Sequence, residues 1–147
     1  ILFVGSSDVY KRQAITELIP QRPPMVMVDR FEGIDAEDQS HTSLTVREDN
    51  LFVEEGALTE CGLIEHMAQS AAARVGWRCR EAGEKVPVGF IGAVSRFRAD
   101  ALPPVGARLE TTLRMVQEVG PLSLAALRVE CDGQLIAEGN LKIYLQL

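Results

Sequence analysis

The chain has no apolar run approaching the ~18 residues needed to cross a bilayer, which excludes a single-helix membrane anchor within it. It has three cysteines, Cys61, Cys79 and Cys131, an odd number at spacings that match no metal-ligand pair. Structural zinc ligands sit close together in sequence, so a zinc site is not expected, and reduced thiols in a cytoplasmic protein are the simplest reading. Only two histidines are present, His41 and His66, and they add no ligand cluster. Excess positive charge is missing too. The formal net charge is -6, and a polyvalent nucleic-acid surface needs clustered Lys and Arg. There is no internal repeat, no low-complexity tract and no phosphate-binding glycine loop, since Gly89 to Gly92 is too short for a dinucleotide fingerprint. No metal or organic cofactor is implied.

What is present fits one globular domain. The chain has 147 residues, 46% apolar and 24% charged, enough for a core of its own. The stretch Asp8-Val9-Tyr10-Lys11-Arg12-Gln13 resembles translated sequencing adaptor. Residues 1–13 are therefore set aside as a non-native tail, and residues 14–147 are taken as the domain.

Pro20-Gln21-Arg22-Pro23-Pro24 has three prolines in five positions and forces an extended or turned path. Met25 to Asp29 reads as a buried strand, Gly33 to Gln39 as a turn, and His41 to Arg47 as a second strand pairing with the first. Asp49 to Glu60 is an acidic loop in which Phe52 and Val53 turn inward. Thr59 is a good N-cap. Beyond it Leu63, Ile64, Met67, Ala68, Ala71, Ala72 and Val75 recur at helical spacing, which predicts a buried helix ending near Gly76 or later, before Gly83. Strands are expected at Val86 to Phe97, Arg108 to Glu118, Leu122 to Cys131 and Leu135 to Leu145, with turns at Gly120-Pro121 and Asp132-Gly133. One long helix with about six strands predicts an α+β fold, a strongly curved antiparallel sheet wrapped round the helix. Its open edges make a dimer a reasonable expectation.

Glu65 stands out as a candidate for chemistry. A carboxylate near the start of a buried helix is favoured by the helix dipole and penalised by burial, a balance that suits a general acid or base. The plain alternative is a solvent-facing glutamate on the second turn. Gly62 could let a ligand approach free amides at the helix start, or could be a packing glycine. The proline-rich segment could position Gln21, or could merely redirect the chain.

Four stretches together resemble the 3-hydroxyacyl-acyl-carrier-protein dehydratase family of the hot-dog fold. They are Leu18 to Arg30, the helix segment Gly62-Leu63-Ile64-Glu65-His66-Met67-Ala68-Gln69, the strand Gly92 to Arg98, and the loop Pro103-Pro104-Val105-Gly106. The resemblance implies a hot-dog fold and removal of water from 3-hydroxyacyl thioesters borne on an acyl carrier protein, as in fatty acid or polyene-type biosynthesis. It implies that Glu65 is the catalytic acid, that Gln69 is the family's helix glutamine, and that an apolar acyl tunnel runs beside the helix. It also implies substrate contacts at Cys61, Gly62, Gln69 and Gly92. The family pairs the glutamate with a histidine of the opening segment across a dimer interface. Gln21 stands at that position here, and a glutamine cannot take a proton near neutral pH. The Pro-Gly that usually precedes the helix acid is absent, with Thr59, Glu60 and then Cys61-Gly62 in its place.

Three functions remain open on these grounds: a dehydratase-like lyase, a non-catalytic subunit of a heterodimeric dehydratase, and an acyl-thioester hydrolase. The partners implied are an acyl carrier protein and either a second copy or a related hot-dog subunit. Carriers are acidic, so Arg78, Arg80 and Arg98 are candidates for a docking rim, the alternative being cations that simply suit a helix C-terminus.

Overall fold

The computed structural model describes residues 14–146. The tail reading of residues 1–13 lies outside them. After a 3-10 turn at Ile15–Glu17, the chain forms β1 (Arg30–Ile34), β2 (Ser40–Thr45), the short β3 (Val53–Glu54) and β4 (Ala57–Leu58), helix α1 (Glu60–Ala82), and then β5 (Val88–Ala99), β6 (Arg108–Val119), β7 (Leu122–Cys131) and β8 (Gln134–Gln146). Six strands make one antiparallel sheet in the order β1-β2-β6-β7-β8-β5, while β3 and β4 form a separate hairpin. The single long helix packs on the inner face of this sheet, the arrangement expected from the sequence. Among the described residues no helix is long and apolar enough to cross a membrane.

Helix α1 begins where the pattern placed it. The Thr59 hydroxyl accepts the Gly62 N–H at 3.3 Å, a cap that contributes about 1 kcal/mol. Gly83 ends the helix in the left-handed conformation, φ 68°, which glycine adopts without strain. Leu63 and Met67 are completely buried against Leu44, Leu109, Leu113, Leu127 and Leu141 of the sheet. Burial of side chains of this size stabilises by about 1.5–3 kcal/mol each. A smaller cluster joins Leu18, Ile19, Phe31 and Ala73 with Trp77. The guanidinium of Arg74, also buried, donates to the carbonyl and the carboxylate of Asp38 at 2.9 and 3.0 Å, which ties the β1–β2 turn to the helix.

One expected strand is different. Met25 to Asp29 is extended but is not a sheet strand; pairing with β2 begins only at Arg30. The reason is that Met25 and Met27 give backbone groups to helix side chains, Met27 N–H to Gln69 and the Met25 and Met27 carbonyls to Gln69 and His66, while only Asp29 at the end of the segment reaches β2, its N–H donating to the Ser43 carbonyl at 2.8 Å. The β3–β4 hairpin inside the acidic loop was not anticipated either. Its turn places Glu55 and Gly56 at positive φ, and Glu55 carries no signal of that.

At the far end of the sheet β5 pairs with β8 on one side only. Phe90 is 54% and Ile91 41% exposed along that open edge. The ladder breaks at Gly92 and again between Ser95 and Arg98, where Arg96 takes φ 53°; such bulges bend a strand and re-aim its side chains.

Gly76 sits where the 15–19 segment crosses the helix. A Cβ there would lie 2.0 Å from the Leu18 carbonyl oxygen. Gly76→Ala is expected to push that segment off the helix and cost about 1–3 kcal/mol, a fall of several degrees in Tm on thermal melting. An unchanged melting curve would show that the segment is not seated on α1.

Candidate active site

The spacing of Cys61, Glu65 and Gln69 puts all three on one face of α1. Gln69 is completely buried and uses its whole amide. Its Oε1 accepts the Met27 N–H at 2.6 Å, and its Nε2 donates to the Met25 carbonyl at 2.7 Å and to Glu65 Oε1 at 2.9 Å. The acceptor and donor needs of its neighbours thus settle which way the amide points. Glu65 is half-buried. One of its oxygens is held by Gln69, which leaves the other to meet a ligand.

His66 faces away from that row. Its Nδ1–H donates to the Met27 carbonyl and its Nε2 accepts the Thr111 hydroxyl, both at 2.7 Å. Both ring nitrogens are used by core partners. Burial pushes the imidazole down to about 4, against the opposing pull of the Met27 carbonyl and of Asp29. The neutral ring is a structural pin, and it is not bonded to Glu65. His41 lies on β2, bonded to the Asp35 carboxylate at 2.7 Å and in contact with the Thr112 hydroxyl at 3.2 Å. That hydrogen bond, more than any other cause, holds Asp35 below the usual carboxylate range. Neither histidine is placed to share chemistry with Glu65 in one protomer.

Beyond Glu65 the same helix carries Ala68, Ala71, Ala72 and Val75. With Ile91 of β5 and Leu145 of β8 they wall an apolar chamber of about 450 Å³, closed on its other side by the segment Thr16 to Arg22. The sequence pattern identified these helix positions as an apolar face, and a cavity beside them was expected only through the family resemblance. The available signal was side-chain size: three of the four are alanine, too small to fill the space under the sheet. Gln21 is a wall of this chamber, whereas Glu65 is not among the residues that line it. No hydrogen bond joins the two within a protomer.

The remaining candidates are dispersed. A Cβ on Gly62 would meet Leu58 Cδ1 at 2.6 Å and Phe52 Cβ at 2.7 Å, so its bareness serves close packing, and its amide is engaged by the Thr59 cap. The Cys61 thiol is exposed on the first turn. Gly92 is exposed at the β5 bulge. Arg78 pairs with Asp38, Arg80 with Glu17 at 3.3 Å, and Arg98 with Asp100 and Glu138 at 3.2 and 3.4 Å. Each of the three arginines expected to form a docking rim therefore already has a carboxylate beside it.

The sequence model of the ApeP dehydratase family matches residues 13–146. A 3-hydroxyacyl-acyl-carrier-protein dehydratase FabZ of Sinorhizobium medicae is 29% identical over 145 residues, covering 94% of this chain and 89% of the relative. A FabZ of Streptococcus equi subsp. zooepidemicus is 28% identical over 131 residues, covering 86% and 91%. Among solved structures, the dehydratase heterocomplex ApeI:P from Xenorhabdus doucetiae superposes with a TM-score of 0.83 at 21% identity over 91% of each chain. A hypothetical thioesterase with coenzyme A from Streptococcus pneumoniae superposes at 0.63 with 10% identity, covering 80% and 84%. At such identities these two likenesses speak for the fold.

The buried His66 makes stability depend on pH. An unfolded imidazole takes a proton near pH 6.5, while the folded ring resists protonation until about pH 4. Acid therefore favours the unfolded chain, and the stability present above pH 6.5 is lost as pH falls toward 4, on the order of 3 kcal/mol in all. Urea titrations from pH 7.5 to 4 are expected to show that loss, and His66→Leu is expected to flatten it while lowering stability at neutral pH. A wild-type profile as flat as the variant's would contradict the assignment.

Proposed function

The chain belongs to the ApeP-like dehydratase family, and from that premise we propose that it is the carboxyl-bearing subunit of a dehydratase for 3-hydroxyacyl thioesters on an acyl carrier protein, completed by a related hot-dog partner that supplies an imidazole. One observation carries this reading. Glu65 is held ready by Gln69, yet neither imidazole of the described chain is available to it: His66 is locked between Met27 and Thr111, and His41 is bonded to Asp35.

Dehydration needs two proton transfers. A base removes the weakly acidic proton on C2, beside the thioester carbonyl. An acid protonates the hydroxyl on C3, the C3–O bond breaks, water departs and the C2–C3 double bond forms. In this reading Glu65, through the oxygen that Gln69 leaves free, gives the proton to the departing hydroxyl. The partner's imidazole takes the C2 proton. The Ala68–Val75 face receives the acyl chain, and the open β5 edge, with Phe90 and Ile91 exposed, is where a partner's strand would extend the sheet. The reaction is placed in the cytoplasm, in keeping with free thiols at Cys61, Cys79 and Cys131.

The test is reconstitution. The full chain is mixed with a histidine-bearing hot-dog dehydratase from the same genome and given a carrier-bound 3-hydroxydecanoyl thioester, and the absorbance of the enoyl product is followed. The chain alone is expected to stay at background and the mixture to turn over. Glu65→Gln in this chain is expected to slow the mixture by about 10²–10⁴-fold. Turnover indifferent to Glu65→Gln would reduce the chain to a non-catalytic support, and release of free thiol without enoyl product would identify a hydrolase instead.

A further inference from the structure

Among the described residues one buried side-chain oxygen or nitrogen has no hydrogen-bond partner: Oε1 of Gln21. Its backbone is held firmly, since Arg22 Nη1 donates to the carbonyls of Ile19 and Gln21, both at 2.8 Å. A buried acceptor without a donor is costly, and native proteins satisfy nearly all such groups. An exception points to a donor that arrives with a partner or a ligand.

The fold indicates what arrives there. Leu18 passes over Gly76, and Met25 and Met27 are bonded to Gln69. Gln21, between those anchors, lies beside α1 just past its middle, while Glu65 stands on the second turn. Strand β5 runs antiparallel to α1. A Cβ on Gly139 would lie 3.4 Å from Phe97 and 3.7 Å from Met67, and Ile91 shares the chamber with Ala71 and Ala72. The midpoint of β5, between Ala93 and Val94, is thus abreast of Gln69 or Ser70. A pseudo-dyad through that midpoint of the open edge runs the two β5 strands antiparallel, and with them the two helices. It carries the partner's counterpart of Glu65 about four residues beyond the midpoint, to the level at which Gln21 is held.

We infer that a heterodimer built on this chain has one working site and one silent binding site. In the working site Glu65 meets the partner's imidazole. In the silent site Gln21 faces the partner's helix carboxyl, and its oxygen accepts the hydroxyl of a 3-hydroxyacyl thioester that is held there without being dehydrated. The inference rests on the acyl-thioester reading above, with a partner that carries both an imidazole and a helix carboxyl. A carboxamide oxygen accepts a hydrogen bond as a neutral imidazole nitrogen does, but takes no proton near neutral pH, so the C2 proton stays in place. The hydroxyl supplies the missing donor. A saturated chain has none, and a site built to bond a polar group rejects analogues that lack it.

Two substitutions in this chain, mixed with the partner, test the arrangement. Glu65→Gln disables the working site. Adding Gln21→His sets an imidazole opposite the partner's carboxyl; that imidazole takes the C2 proton while the carboxyl protonates the departing hydroxyl. The double variant is expected to turn over about 10²-fold or more faster than Glu65→Gln alone, and Gln21→His by itself about twice as fast as wild type per heterodimer. A double variant as slow as Glu65→Gln, in a heterodimer that still assembles, would overturn the inference and leave the Glu65 reading standing. A mixture indifferent to Glu65→Gln would remove the working site and the inference with it. Binding is read separately by calorimetry, with a 3-hydroxydecanoyl pantetheine thioester that carries fluorine in place of both C2 hydrogens and so has no proton to lose. About two equivalents are expected to bind the wild-type heterodimer and about one the Gln21→Leu heterodimer. The matching analogue without the hydroxyl is expected to bind the second site about tenfold more weakly. A single equivalent in the wild type, or equal stoichiometry in wild type and Gln21→Leu, would overturn the inference even where Gln21→His fails to assemble.

Discussion

The buried carboxamide of Gln69 connects three parts of this molecule that otherwise have no reason to meet. It takes the Met27 N–H and the Met25 carbonyl out of any sheet and gives them to the helix. It also holds one oxygen of Glu65. Once a donor and an acceptor are buried, leaving them unpaired costs about 1–3 kcal/mol each, so the segment Met25–Met27 has one good seat and Glu65 one well-supported orientation. His66 reinforces the same seat from about one turn earlier on the helix through the Met27 carbonyl. The extended segment is thus clamped at one end by two helix side chains and at the other by the close pass of Leu18 over Gly76. Gln21 and the chamber wall are suspended between those clamps.

The chamber itself exists because of what the helix does not fill. Leu63 and Met67 pack the core under the sheet, and Ala68, Ala71 and Ala72 line the pocket beside it, Ala71 also belonging to that core. A helix with large residues on both faces would leave no such space. Stability is given up at Gln21, where an apolar residue would remove an unsatisfied acceptor. Stability given up at named positions marks where binding is expected. The arginines present the opposite case. Arg78, Arg80 and Arg98 look like a basic surface in sequence, yet the fold brings Asp38, Glu17, Asp100 and Glu138 to them from distant elements.

Much of this was legible in the amino-acid sequence. Helix α1, its Thr59 cap and its glycine terminus follow from period and propensity, which are local, and the β6–β7–β8 meander follows from strand patterning and turn residues. Residue identity and order also bring out Glu65 and Gln69 as candidates through resemblance to the dehydratases. Partner choice across long sequence separations was settled only by the tertiary structure. Met25 to Asp29 has the composition of a strand, but the Met25 carbonyl and both backbone groups of Met27 bond to side chains some forty residues away. His66, adjacent to Glu65 in sequence, points about 100° round the helix and becomes a neutral pin in the core. The chamber, and the unpartnered oxygen of Gln21 within it, arise from the gap between a small-residue helix face and a distant segment. A gap of that kind is a property of packing, which no local pattern encodes.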